Sequence, residues 1–131
     1  MIGLDTNVLV RYLTLDDARQ SALAVDIFDS LSADSPGFVS LVVMVELIWV
    51  LESSYGFKKD RIIETVDGLL RSKELAVERA GAVRQALRRF ATSRADFADC
   101  LIERCCQEAE CQYTVTFDRK AAAAGMRLIA R

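Results

Sequence analysis

Five acids in this 131-residue chain stand where a carboxylate could do chemistry. Asp5 follows the apolar start MIGL, and Asp118 follows YTVTF, so both trail segments that read as strands. Glu46 lies inside LVVMVELIWVL, with five apolar residues on either side. A carboxylate in such surroundings must find a partner or a proton, because burying it unpaired is costly. Asp96 and Asp99 open the segment DFADCLIE. Each acid also has a plainer structural reading. Asp5 and Asp118 suit helix N-caps, and Glu46 suits an arginine partner such as Arg11 or Arg104. Asp96 suits the third position of a Ser93-x-x-Asp96 capping box. Asp99, one turn further in, falls on the edge of an apolar stripe beside Ala98 and Ile102, a position suited to a cleft.

There is no histidine anywhere. That removes Ser-His-Asp and Cys-His catalysis and the commonest general base. Hydrolytic chemistry here must run on carboxylates, and several converging carboxylates repel one another and raise their own pKa values. A divalent ion resolves that conflict, and an all-oxygen donor set suits Mg²⁺ or Mn²⁺. The four cysteines, Cys100, Cys105, Cys106 and Cys111, contain no C-x-x-C pair and are expected to be reduced and mostly buried.

The elements that must position these acids alternate along the chain. MIGL reads as a buried strand, and DTN caps a helix over NVLVRYL. Asp16 and Asp17 open a second helix, Ser35-Pro36-Gly37 is a turn, and FVS is a second strand. Leu41 to Tyr55 is apolar nearly all round, which predicts a buried helix stopped by Gly56. Lys59 to Leu70 is amphipathic, ELAVE is a third strand, and Ala80 to Phe90 is helical with a basic patch of Arg84, Arg88 and Arg89. A helix from Ser93 to about Glu110 carries the apolar stripe Ala98, Leu101, Ile102, Cys105 and Ala109. QYTVT, FDRKAAAA and MRLIA complete the pattern as strand, short helix and strand. Strands and helices alternating throughout predict an α/β fold with a mainly parallel sheet, in which sites lie beyond the carboxyl ends of the strands.

MIGLDTNVLVRYL, VELIWVL, DFADCLIE and TVTFDRKA together resemble, in order and spacing, the signature segments of PIN-domain ribonucleases, and more narrowly the VapC-type toxins of toxin–antitoxin pairs. The resemblance runs over essentially the whole chain. It implies a single PIN-like domain over residues 1–131, a three-layer α/β/α sandwich, and Mg²⁺- or Mn²⁺-dependent endonucleolytic cleavage of RNA. Asp5, Glu46, Asp99 and Asp118 would be the catalytic and metal-binding acids. Asp96, Thr6, Asn7 and Thr116 would be accessory, with the Thr116 hydroxyl supporting the first aspartate. Arg84, Arg88, Arg89, Arg119 and Lys120 are candidates for steering RNA. A cognate antitoxin and a homodimer are implied as well.

Composition agrees with a soluble, cytoplasmic single domain. At 52% hydrophobic with one proline the chain is not disordered, and a net charge of −2 argues against a generally basic nucleic-acid coat. The longest apolar stretch, Phe38 to Leu51, is too short to span a bilayer. Two other functions fit parts of the pattern. A catalytically silent PIN-like module would keep the fold for partner binding, although degenerate members should lose an acid. An aspartyl-nucleophile phosphatase would want a second aspartate where Asn7 stands.

Overall fold

The computed structural model describes residues 1–129. Ala130, the end of the expected MRLIA strand, lies outside the described residues. The chain divides into two compact units, Met1–Glu78 and Arg79–Arg131.

The first unit runs β1 (Ile2–Gly3), α1 (Thr6–Thr14), α2 (Ala18–Asp29), β2 (Gly37–Val39), α3 (Leu41–Tyr55), α4 (Lys59–Arg71) and β3 (Leu75–Val77). Its strands form one parallel sheet in the order β1-β2-β3, with Ile2 opposite Gly37 and Phe38 opposite Ala76. At the starts of α2 and α3 a short polar side chain takes up an orphan amide. Asp17 accepts from the Gln20 amide at 2.9 Å, and Ser40 accepts from the Val43 amide at 3.1 Å. Asp16, expected to share in opening α2, instead joins a polar knot with Thr14, Arg11 and Tyr55.

Gly56 ends α3 as its sequence position predicts, at φ +67°, while the Phe57 amide reaches back to the Leu51 carbonyl. The helix is not buried all round, however. Met44, Leu47, Ile48 and Leu51 recur at three- and four-residue spacing and enter the core, whereas Val42 and Trp49 are 77% and 66% exposed. Apolar composition alone cannot distinguish the face that packs within the unit from a second apolar face left open.

The second unit runs α5 (Ala80–Thr92), α6 (Phe97–Glu108), β4 (Val115–Thr116), α7 (Arg119–Ala122) and β5 (Arg127–Leu128), with β4 and β5 paired in parallel. Its core is the α5–α6 interface, where Phe90 meets Phe97 edge-to-face at 6.0 Å. Here α6 begins at Phe97 rather than Ser93. Ser93 closes α5, and its hydroxyl accepts from the Ala95 amide at 3.3 Å, a local turn that displaces the expected capping box. The buried face of α6 includes Phe97, Cys100 and Leu101, and Ile102 is half exposed. Of the predicted stripe only Leu101 is buried. Cysteine burial is likewise graded, from buried Cys100 to exposed Cys111.

The α/β class and the parallel pairing expected from the alternation are what the chain adopts. Among the described residues, no helix is long and apolar enough to cross a membrane.

Candidate acidic site

In the first unit Asp5 lies just past the carboxyl end of β1 and is the N-cap of α1. Its backbone has capping geometry (φ −79°, ψ 160°), yet its carboxylate accepts no capping hydrogen bond. Capping therefore does not account for an aspartate here. The next residue, Thr6, is buried, and its hydroxyl donates to Oε1 of Glu46 across the α1–α3 packing. Glu46 is exposed, not interior, and lies in an open concavity with Leu41, Val42, Val45 and Trp49. Its partner is a threonine rather than an arginine. Arg11 is engaged by Asp16, Gln20 and Tyr55, and Arg104 by Gln107. Asn7 is exposed and lines a separate groove with Val8, Arg11, Gln20 and Leu23.

In the second unit the acids cluster around the start of α6. Asp96 is the N-cap of that helix, but its side chain makes no capping bond and pairs with Lys120 Nζ at 3.0 Å instead. Asp99 occupies the first turn, not a position beyond capping reach. Burial raises the Asp99 pKa, and the charges of Asp96 and then Asp118 raise it further. The Asp96 main-chain amide and the Lys120 ammonium pull the other way. Lys120 itself is raised, chiefly by its bond to Asp96.

Asp118 follows β4 and does cap α7, accepting from the Lys120 amide at 2.9 Å, while the Thr116 hydroxyl accepts from the Asp118 amide at 3.0 Å. The plain N-cap reading is thus met at Asp118, yet its charge still acts on Asp99. Arg119 and Lys120 are exposed on α7. Arg84, Arg88 and Arg89 share the exposed face of α5, opposite the buried Val83, Ala86, Leu87 and Phe90.

Two features of this unit go beyond what the sequence suggests. Lys120 reads there only as a candidate for steering RNA, although its proximity to Asp118 hints at a role within the acid group. Glu103 carries no sequence signal, yet it is 7% exposed and bonded to Gln107 at 2.7 Å. A charged residue in α6 means little until the buried face of the helix is located.

Among the described residues, no three His, Cys, Asp or Glu side chains are drawn together closely enough to enclose a metal ion. The donor chemistry nevertheless suits a hard divalent cation. The side chains in question are oxygen donors, and Asp99 is held against ionisation first by burial and then by two neighbouring acids, a repulsion that a cation would relieve.

Two comparisons bear on this arrangement. The sequence model of the PIN domain family matches residues 2–125. A VapC ribonuclease of Aquifex aeolicus (strain VF5) is 26% identical over 127 residues, covering 96% of this chain and 93% of the relative.

Proposed function

The chain belongs to the PIN domain family, whose model spans nearly its whole length, and from that premise we propose that it is a divalent-metal-dependent endoribonuclease. The similarity to a VapC ribonuclease supports a toxin paired with a cognate antitoxin. The observation that carries the catalytic part is the carboxylate group at the start of α6, where Asp96 is the N-cap, Asp99 lies in the first turn and Lys120 pairs with Asp96.

Asp5, Glu46, Asp99 and Asp118 would hold Mg²⁺ or Mn²⁺, with Asp96 accessory. When bound, such an ion neutralises charge on the phosphoryl oxygens and lowers the pKa of water. The chain's own groups do the rest. Asp99, in the first turn of α6, is one of the carboxylates that orient or deprotonate the attacking water. Thr6 fixes the orientation of Glu46. Lys120 holds Asp96 and keeps it from adding its full charge to Asp99. Arg84, Arg88, Arg89 and Arg119 present positive charge to the RNA backbone. The exposed apolar stripe of Val42 and Trp49 beside Glu46 fits a protein partner, either a second copy in a homodimer or the antitoxin.

The test is cleavage of labelled structured and unstructured RNA with Mn²⁺, with Mg²⁺ and with EDTA, beside Asp5→Asn. Metal-dependent cutting that the variant lacks is the expected result. Absence of both cutting and metal binding by calorimetry would favour a silent binding module.

A further inference from the structure

Alongside the acids, the second unit holds a cavity of about 430 Å³ lined by Gln85, Arg88, Arg89, Thr92, Glu103 and Arg104. Three arginines line one space there, and among the described residues none of them is in an ion pair. With Glu103 as the only acid in the lining, the cavity has an excess of two positive charges. Like charges gathered this way repel unless an anion sits among them.

Arg104 adds an independent observation. Its Nη1 donates to Gln107 Oε1 at 2.9 Å, and Gln107 Nε2 in turn donates to Glu103 Oε2 at 2.7 Å, so the fork is held from behind. Its Nε is buried and has no hydrogen-bond partner among the described residues. A buried donor left unmet carries its full desolvation cost, so an acceptor brought to this edge of the guanidinium is favoured. Gly125 backs the same place at φ +108°, where a Cβ would lie 3.2 Å from Arg89 Nη1 and 3.6 Å from Glu103 Cδ. The absence of a side chain leaves Arg89 and Glu103 undisturbed.

We propose that Arg88, Arg89 and Arg104 form a pocket for one phosphate of an RNA backbone, with Gln85 as a neutral donor. Arginines from two helices lining one space suit the phosphoryl group, and arginine favours it through paired N–H bonds. Glu103 holds Arg104 through Gln107 and keeps the pocket from binding anions without discrimination. That the phosphate belongs to RNA rests on the function proposed above; the pocket itself does not.

The experiment measures binding of a labelled single-stranded RNA in EDTA, over a series of salt concentrations, for the intact chain. Variants are Arg104→Gln, Arg104→Lys and the double Arg88→Gln/Arg89→Gln, with Arg19→Gln as an exposed control of equal charge change. Thermal midpoints are recorded for all. Arg104→Gln and the double variant should bind roughly tenfold or more weakly. Their salt dependence should be shallower by roughly 0.7 in slope for each phosphate that is no longer neutralised. Arg104→Lys should fall between, since it keeps the charge and loses the fork, and the control should match wild type.

An unchanged slope in the double variant overturns the pocket, whether or not Arg104→Gln folds. Inorganic phosphate that raises the wild-type midpoint while the RNA slope stays unchanged would make it a small-anion site and overturn the RNA assignment. Displacement by poly-glutamate more readily than by RNA would overturn it in favour of an acidic protein segment. Metal-dependent cleavage with an unchanged slope sinks the pocket alone. A shallower slope without any cleavage sinks the nuclease and leaves the pocket standing.

Discussion

The Thr6 hydroxyl, at the buried start of α1, donates to the carboxylate of Glu46 on α3, forty residues away in the chain. The bond ties the residue after the first acid to the second acid. Thr6→Val keeps the shape and removes the donor, so it should cost about 1 kcal/mol in denaturant unfolding. RNA cleavage should fall with it, and Thr6→Ser should restore both. Equal stability of Thr6→Val and wild type would mean that the bond contributes nothing.

Asp99 is the acid to titrate. Its folded pKa is raised, so the folded state holds the proton more tightly than the unfolded chain does. Metal-free stability should therefore decline as pH rises from the ordinary aspartate range through the raised folded value, and then level off. Asp99→Asn should abolish that decline and be more stable than wild type at neutral pH, while losing cleavage. Adding Mn²⁺ should raise the thermal midpoint of wild type and not of the variant. A variant that is less stable at neutral pH would show that burial and repulsion do not oppose the charge on Asp99.

Asp16 should show the opposite sign. Tyr55 donates to its carboxylate at 2.7 Å and Thr14 at 2.8 Å, with Arg11 alongside, and together these lower its pKa. A depressed carboxylate contributes stability above the unfolded value and loses it as pH falls through the folded one. Asp16→Asn should thus unfold at lower denaturant than wild type at neutral pH, with the gap closing in acid. A gap independent of pH would assign the effect to packing.

Gly56 offers a clean backbone test. A Cβ there would meet nothing within 4 Å, so only the left-handed φ of +67° opposes a side chain. Gly56→Ala should cost about 1 kcal/mol, read by chemical denaturation, and Gly56→Asn less. Cleavage should be unaffected by either.

How much of this is legible in the sequence differs from element to element. Gly56 as a helix stop, Asp5 after the first strand and Asp118 after the fourth can all be read directly, because turn, cap and strand signals act over a few neighbouring residues. The start of α6 cannot. Ser93 has the right chemistry for a cap, but its hydroxyl turns to Ala95 and leaves Asp96 to begin the helix. That three-residue shift moves Asp99 into the first turn, and packing against α5 selects the buried face.

By itself, the sequence determined the alternation of strands and helices, the lack of any imidazole, and the acids available for chemistry. These are matters of residue type and local period, which need no knowledge of neighbours. Only the tertiary structure decided which acids are engaged and by what. Thr6 meets Glu46, Lys120 meets Asp96, and Asp96 and Asp118 act on Asp99. Such pairings depend on packing between segments far apart in the chain. Burial and charge, which set a carboxylate's chemistry, exist only once those segments have met.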